Sequence, residues 1–564
     1  MKDNYIHSTL QRLTLYLVLL FLPILASAQM LPQSSAPHLT SGTPDTNIPR
    51  LDSAFVNEYI SNEEDFRHHL QLVEQFYQDR DYKLAWFKED KLVPQAEKLM
   101  QVLEKTHREG LDPSDYQVKD LQAMYREFQE MRTPDAQKQQ KIDLALTASY
   151  FNYAVDFYTG TVNPHKHSAI KWGIEKNKIK LHKALQTILQ ERESTYPYYE
   201  FEALHEGYQK LREVLVQYQQ IQEQGGWPKV EEQGLVQQHD TAEVVLSLRK
   251  RLLPDQQIRT QDSAAYVYDE QLKEAVEAFQ KRHGLSVDGV VGPQTYRALN
   301  VGIEERIDQL VLNMERWRWL PKRLEPEEGP QRYVMVNIPA FKVYVMEDGE
   351  EVMRMRAVVG KTMHSTPVFS HEIQYLVFAP YWNVPNSIVE ADIKPKLLRN
   401  RNWLETQNME MVTSFGSNAR RVPVSRVDWA NMTRHNFDYR IRQRPGPNNS
   451  LGRVKFMFPN EYSVYLHDTP ANHLFDETDR DFSHGCVRVE KPTELATYLL
   501  QHNPDWDRSR VRNAMNGREE INVNLKENVP VYLVYFTAWV EEDGTVHFRD
   551  DLYNHDKALA QQLF

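Results

Sequence analysis

The 564-residue chain is 41% hydrophobic and 26% charged, with 21 glycines, 29 prolines and one cysteine. Those proportions exclude a collagen-like or low-complexity chain, and the lone cysteine excludes a disulfide framework, a C-x-x-C redox pair and multi-cysteine zinc or iron–sulfur sites. A formal charge of −12, from 67 basic and 79 acidic residues, argues against nucleic acid as a partner, because phosphate needs a basic surface. At about 150 residues per domain, the length suggests three to four domains.

Leu13 to Leu25 is the only long apolar run, and it has 13 residues. That is short of the roughly 20 that span a bilayer as a helix. Lys2 and Arg12 precede the run and Ala26-Ser27-Ala28 follows it. The pattern predicts a signal peptide over 1–28, cleaved after Ala28, and hence an exported, periplasmic protein. An uncleaved anchor is the alternative. No cysteine sits at the cleavage site, so lipoprotein anchoring is not expected. Residues 29–50 are rich in Pro, Ser and Thr and read as a linker.

From 51 to 240 the pattern is helical. Phe66, Leu70, Val73, Phe76 and Tyr77 recur at helical spacing behind Ser61-x-x-Glu64, a capping-box signature. Ala96, Leu99, Val102 and Leu103 repeat it. Ile142, Leu146, Tyr150, Tyr153 and Phe157 form a third stripe, ended by Gly160 and Pro164. Such stripes read as core. Residues 241–300 form a separate unit with two amphipathic faces, a Gly284 C-cap, an Asp288-Gly289 turn and a short last helix. Residues 301–331 connect onward.

Beyond Leu320 the period becomes two. Val334, Val336 and Ile338 alternate, then Phe341, Val343 and Val345, with Asp348-Gly349 before the next run to Val359. That is a hairpin signal. Further strands are expected at Tyr375–Phe378, Lys455–Phe458, Val464–Leu466 and around Asp543-Gly544. Helical pieces are expected near 389–399 and 491–501. Between 388 and 445 the strand pattern lapses, which reads as an insertion capping a site on the sheet. The fold class expected is thus multidomain α+β, a helical scaffold followed by a mainly-β domain over 332–564.

The single cysteine, Cys486, lies in Ser483-His484-Gly485-Cys486-Val487-Arg488, and fifteen residues separate His467 from Ser483. A cysteine nucleophile needs a thiolate, which an imidazole generates. The imidazole needs a third group to fix its tautomer, a task within reach of the Asp468 carbonyl. Gly485 permits a tight turn whose amides can face a developing oxyanion. Taken alone, a free cysteine is usually a small buried hydrophobe. The combination with two histidines is what singles this one out.

H-x15-S-H-G-C-V-R resembles the signature of the L,D-transpeptidases, the YkuD-type cysteine enzymes of peptidoglycan. Thr366-Pro367-Val368-Phe369, Trp382-Asn383-Val384-Pro385-Asn386-Ser387-Ile388, Pro445-Gly446-Pro447-Asn448-Asn449-Ser450-Leu451-Gly452, Tyr465-Leu466-His467-Asp468-Thr469-Pro470 and Phe536-Thr537-Ala538-Trp539 are similar to the family as well. The unit over 241–300 resembles the three-helix peptidoglycan-binding domain of wall enzymes. The helical scaffold and the insertion resemble the large periplasmic subgroup.

The resemblance implies Cys486 as nucleophile, His467 as its partner and the Asp468 carbonyl as orienter. It implies Gly485, Cys486 and His484 as oxyanion-side support, with Ser483 and Arg488 organising the loop. Trp382, Asn383, Tyr439 and Arg442 are expected at the substrate groove. The implied reaction forms a thioester on a stem tetrapeptide, releases D-Ala and yields a 3→3 cross-link. Water as acceptor would give L,D-carboxypeptidase activity instead. Peptidoglycan stem peptides and glycan are the implied partners, carbapenems the implied covalent inhibitors, and no cofactor or metal is expected.

Other readings fit less well. His467, Asp468, His473 and His484 cluster in sequence as a zinc site would, but no H-E-x-x-H occurs. An inactive wall-binding protein would not need the intact H-x15-S-H-G-C pattern. A papain-like or NlpC-type hydrolase usually places Cys before His. Val359-Gly360-Lys361-Thr362 resembles the end of a P-loop, but Met355 stands where its first Gly belongs.

Overall fold

Asp52 opens the first helix, Ser53–Asn62, its carboxylate accepting from the Ala54 amide at 3.0 Å. Ser61 therefore sits at the end of that helix, and the capping box expected at Ser61-x-x-Glu64 starts nothing. Glu64 pairs with Arg67 instead, and the next helix runs Leu70–Asp79 after a 3-10 turn. The computed structural model describes residues 50–564 except Asp65, Pro134, 167–171, 175–178, 191–203, 254–262 and Ser417. The signal peptide expected over 1–28 and the linker up to Pro49 lie outside the described residues. Among the described residues, no helix is long and apolar enough to cross a membrane.

The scaffold is built on the helix Ala136–Thr159, whose N-cap Asp135 accepts from the Gln137 and Lys138 amides. Its stripe of Ile142, Leu146, Tyr150, Tyr153 and Phe157 is buried. On the same helix, Asp143 is fully buried. It accepts from the Tyr77 hydroxyl at 2.6 Å and from the Ala85 and Trp86 amides at 2.9 and 2.7 Å. A buried carboxyl is tolerated when its oxygens are bonded this fully. Those bonds fasten the approach to a small hairpin, β1 (Phe87–Lys88) and β2 (Lys91–Leu92), onto the helix. Farther on comes the two-residue strand β3 (Trp172–Gly173).

The next unit has its own core, Val230, Val236, Leu248, Leu272, Val276, Phe279, Tyr296 and Leu299 among it. Its packing thus begins near Val230, ahead of the boundary expected at 241. The three α-helices are Glu243–Leu252, Glu270–Arg282 and Pro293–Leu299. Gln280 explains the Asp288-Gly289 turn. Its carbonyl accepts from both turn amides, at 3.1 and 2.9 Å, while its NH₂ donates to the Val290 carbonyl at 2.9 Å.

A long helix, Ile303–Trp319, then runs through the interior. Trp317 stacks on His205 of the scaffold (4.3 Å between centroids) and on Phe536 of the following domain (4.5 Å). Asn313 and Thr537 exchange two hydrogen bonds at 2.8 and 2.9 Å. The scaffold and the β-domain consequently share one hydrophobic core, from Leu51 to Leu559. Packing does not divide them at the expected connector, 301–331.

The β-domain contributes β4 (Arg332–Asn337), β5 (Lys342–Glu347), β6 (Glu350–Val358), β7 (Val368–Phe378), β8 (Trp382–Val384), β9 (Met409–Val412) and β10 (Arg440–Gln443). It continues with β11 (Val454–Met457), β12 (Leu466–His467), β13 (Val487–Val489), β14 (Ile521–Val534), β15 (Ala538–Val540) and β16 (Val546–Phe548). Nine strands form the main sheet, ordered β11-β12-β13-β6-β5-β4-β14-β7-β3, and β7 also pairs with β11. That pairing closes eight of the strands on themselves and leaves only the short β3 as an edge. Both D-G hairpins, β5/β6 and β15/β16, form as the sequence predicts.

The insertion is a small unit of its own. β8, β10 and β9 make a three-stranded sheet over a separate core of Val384, Val389, Ile393, Leu397, Trp429, Phe437 and Ile441. The expected lapse of strand pattern over 388–445 is corrected here, since β9 and β10 lie inside it. Both strands are only four residues long, too short for their alternation to stand out. Glu410 occupies a buried position in β9 and pairs with Arg442 at 2.8 Å, Arg444 at 2.6 Å and Arg421 at 3.2 Å.

Candidate active site

The register of β11, β12 and β13 gathers the chemistry. β12 lies between the other two, antiparallel to β11 and parallel to β13. Lys455 is opposite His467, and His467 is opposite Arg488. Directly opposite residues share a face, and so do residues two apart along a strand. Lys455, His467 and Arg488 therefore project from one face, joined by Tyr465 and Cys486 two residues earlier. The Tyr465 and His467 rings are 5.8 Å apart, and Lys455 Nζ is 5.6 Å from the Tyr465 ring.

The turn before Cys486 is held from several sides. Gly485 has φ 111°, a conformation that side-chain-bearing residues rarely adopt. Ser483 bridges the turn, its hydroxyl donating to the Cys486 carbonyl at 2.5 Å and accepting from the Gly485 amide at 3.0 Å. Thr366 Oγ1 donates to the Gly485 carbonyl at 2.8 Å and accepts from the Gly360 amide at 2.9 Å. The Tyr553 hydroxyl donates to the Gly360 carbonyl. Ser483 is also laddered to the end of β6, its amide donating to the Val359 carbonyl at 2.8 Å. Of the two amides expected on the oxyanion side, Gly485 N–H is thus already committed. The Cys486 amide has no hydrogen bond among the described residues and stays open.

His467 is almost fully buried, and its Nδ1 lies 2.5 Å from the Asp468 carbonyl. The carbonyl accepts, so Nδ1 carries the proton and Nε2 is left as the basic nitrogen. Burial pushes the imidazole down to about 3, helped by the Arg488 charge, while the Asp468 and Leu451 carbonyls pull the other way. His467 is therefore neutral near pH 7. The Asp468 carboxylate does not touch the ring. It accepts from the Arg453 and Thr469 amides at 2.8 and 2.7 Å, which fixes the peptide whose carbonyl orients His467.

Cys486 is partly accessible, and its Sγ lies 3.9 Å from the Ser463 carbonyl. Burial of the sulfur pushes the thiol up, opposed by the Tyr465 amide and hydroxyl and by the charges of Arg488 and Lys455. The thiol and the His467 imidazole do not hydrogen-bond to each other. The resting state is a neutral thiol beside a neutral imidazole, with two cations on the same face. Neither the Lys455 nor the Arg488 side chain makes a hydrogen bond or ion pair among the described residues, and Arg488 Nε is buried without a partner.

His484 points elsewhere. Its Nε2 is 3.6 Å from Asp392 of the insertion, and its ring is 5.2 Å from that of His364. Of the four residues expected at the groove, Trp382, Asn383 and Arg442 belong to the insertion's sheet and Tyr439 immediately precedes β10. Trp382 and Tyr439 pack on its separate core, Arg442 is held by Glu410 and lies over Tyr381, and Asn383 is opposite Arg442 in the ladder. No hydrogen bond, ion pair or ring contact joins any of the four to Cys486 or His467 among the described residues. Packing accounts for Trp382, Tyr439 and Arg442. Sequence reasoning gave no role to Thr366, Lys455, Tyr465, Tyr553 or Asp392. Lys455 was legible as the residue opposite His467 once the strands were paired, whereas Tyr553 carries no local signal.

Comparison with known proteins places this face in a family. Residues 331–523 match the family described as the L,D-transpeptidase catalytic domain. The chain carries a YkuD L,D-transpeptidase catalytic domain. Residues 71–215 match a scaffold domain, and 253–299 match a "putative peptidoglycan binding domain". A Haemophilus influenzae protein named "putative L,D-transpeptidase" is 32% identical over 257 residues, 45% of this chain and 50% of that protein. The chain spans about half the length of the curated relative it matches.

Two solved structures are similar to this L,D-transpeptidase domain. One is the Xylanimonas cellulosilytica L,D-transpeptidase (17% identity, 54% of this chain and 99% of that one, TM-score 0.17). The other is Mycobacterium tuberculosis L,D-transpeptidase 3 with a faropenem-derived adduct (15% identity, 36% and 60%, TM-score 0.18). Scores that low place no residue of the site. Among the described residues, no three His, Cys, Asp or Glu side chains gather as a metal-holding group.

Proposed function

We propose that this protein is an L,D-transpeptidase of peptidoglycan in which Cys486 forms a thioester acyl-enzyme. One observation carries the reading. Cys486 and His467 stand on the same face of neighbouring strands, with His467 Nδ1 committed to the Asp468 carbonyl. Nε2 of His467 takes the thiol proton as Sγ attacks the carbonyl of the third residue of a stem tetrapeptide. The open Cys486 amide donates to the oxyanion. His467 returns the proton to the leaving D-Ala amine, and the C–N bond breaks as the thioester forms. A side-chain amine of a second stem then attacks the thioester, giving the 3→3 cross-link and regenerating the thiol.

Lys455 and Arg488 stabilise the thiolate during attack, and the unpaired Arg488 is suited to a carboxylate of the donor stem. Ser483, Thr366 and Tyr553 hold the turn. A strained β-lactam carbonyl, as in a carbapenem, would acylate the same thiol and stay attached as a covalent adduct. An extracytoplasmic location, in the periplasm, follows from the substrate, and the apolar run before Ala28 serves as the export signal.

The same acyl-enzyme resolved by water would make the protein an L,D-carboxypeptidase. Incubation with a disaccharide-tetrapeptide and mass spectrometry separates these outcomes. A cross-linked dimer lacking one D-Ala is expected. A tripeptide product alone would establish the carboxypeptidase, and unchanged substrate together with no β-lactam adduct would overturn both.

A further inference from the structure

A cleft away from Cys486 is lined by residues of two regions. It has a volume of about 650 Å³ and lies where the three-helix unit meets the β-domain. One wall is the segment from His283 to Val287 with Arg297, the other is Pro339–Lys342 with the segment from Phe475 to Arg480, and Arg306 and Phe548–Asp550 complete it. That volume is ordinary for a site taking a small ligand or part of a larger one.

Three guanidiniums in the cleft lack a carboxylate. Arg306 bonds to the Gln309 side chain at 2.7 Å and lies over the Phe548 ring at 4.5 Å. Arg549 donates to the carbonyls of Arg282 and Phe548, at 2.9 and 2.6 Å. Arg480 donates to the Glu477 carbonyl at 2.5 Å, lies over Phe341 at 5.2 Å, and keeps a buried Nε without a partner. None of the three forms an ion pair among the described residues. The acids nearby do not answer them. Asp476 is taken by Arg356 at 2.8 Å, and Glu477, Asp479 and Asp550 are exposed. Burial pushes Arg306 and Arg549 down to about 10, and the pull of Asp550 on both, from a distance and without an ion pair, does not offset it. In a chain of net charge −12 this is a local concentration of the opposite sign.

Gly284 shows how closely the two walls meet. A Cβ there would fall 2.5 Å from Arg549 Nε. The segment that carries Arg480 also runs directly on to Ser483 and Cys486, and its Arg480 carbonyl accepts from the Val359 amide at 2.9 Å. The cleft and the turn that carries the thiol thus share one continuous segment.

We propose that this cleft is a second binding site, which takes a carboxylate-bearing stem peptide of peptidoglycan from a strand other than the one being acylated. The proposal rests on the function proposed above for its substrate class, and on the unpaired guanidiniums for its chemistry. Planar carboxylates satisfy such forks with paired hydrogen bonds.

The test uses the full chain carrying Cys486→Ala, which cannot be acylated, and a fluorescent soluble stem tetrapeptide. Titration with Arg480→Gln, and separately with the exposed Arg297→Gln, is expected to weaken binding at least tenfold. Amidation of the peptide carboxylates is expected to do the same, with unchanged melting temperature for Arg297→Gln. Affinity unmoved by either arginine change, or by amidation, overturns the proposal. Displacement of the peptide by inorganic phosphate at equal affinity overturns the assignment to carboxylates. Carbapenem labelling of the chain with native Cys486 keeps the two readings apart. Labelling without arginine-dependent binding removes the cleft alone, and arginine-dependent binding without labelling removes the thioester mechanism alone.

Discussion

The helix Ile303–Trp319 and the face around Cys486 both bury arginines, and they treat them oppositely. In the helix, Arg318 is fully buried and bonded to Glu315 at 3.0 Å, to the Tyr208 hydroxyl at 3.1 Å and to the Glu109 carbonyl. Arg316 pairs with Asp556 at 2.6 Å. Arg488, beside Cys486, is half-buried, and its side chain has no hydrogen-bond or ion-pair partner among the described residues, whereas Arg318 leaves only its Nε unpaired. A matched buried charge fixes the relation between elements, because breaking the match strands its partner. An unmatched one waits for an anion. The first arrangement holds the scaffold to the β-domain, and the second belongs to a site.

That contrast predicts separable effects. The largest is expected from Cys486→Ala, which removes the only thiol. Covalent labelling by a carbapenem, read by intact mass, should vanish while the melting temperature holds. A surviving adduct would place the nucleophile elsewhere. Next is His467→Ala, expected to slow acylation by about 10²–10⁴-fold, the usual worth of a positioned base.

Arg318→Met should cost about 3–5 kcal/mol of stability by leaving the buried Glu315 charge without its cation, with only the Val162 amide, Trp319 Nε1 and the Thr161 hydroxyl as donors. At a temperature where the variant is folded, its acylation rate should match the parent's. A rate falling in step with stability would break the distinction between the two regions. Thr366→Val should cost about 1–3 kcal/mol, because the Gly360 amide and the Gly485 carbonyl each lose a partner. Unlike Arg318→Met, it should also slow acylation, since the lost bonds are on the turn itself.

The smallest effect is a pH profile. Burial raises the Cys486 thiol above its ordinary value of 9.0, so the thiolate is scarce below that pH. Alkylation by iodoacetamide should keep rising as pH passes 9, and a plateau near pH 7 would mean an ion pair at rest. Stability has its own sign. His467 sits at about 3 folded against 6.5 for the free side chain, so the unfolded chain binds the extra proton between those values. Its contribution is intact above pH 6.5 and is lost as pH falls toward 3. His467→Gln should lessen the loss of stability across that window.

Much of the site was legible in the sequence because it is local. Ser483 to Arg488 is one turn and one strand, and β12 ends on His467. The D-G hairpins and the helical stripes were legible for the same reason, since turn chemistry and periodicity act over a few residues. The four residues expected at the groove are held by contacts that are not local. Trp382, Tyr439 and Arg442 are near family motifs in sequence, but Glu410 and a separate small core take up their side chains. Ser61-x-x-Glu64 failed because Asp52 had already started a helix that runs through Ser61.

By itself the sequence singled out Cys486 and His467 as candidates and determined the order of helical and β regions, because each depends on residue type and short spacing. Only the tertiary structure decided which groups share a face and which charges find partners. The pairing of β12 with β11 brings Lys455 opposite His467, and Tyr553 reaches Gly360 across nearly two hundred residues. The closure of the sheet, the core shared by scaffold and β-domain and the arginine-lined cleft arise likewise from contacts remote in the chain. No periodicity records them, since burial and charge pairing are settled by what the fold brings alongside.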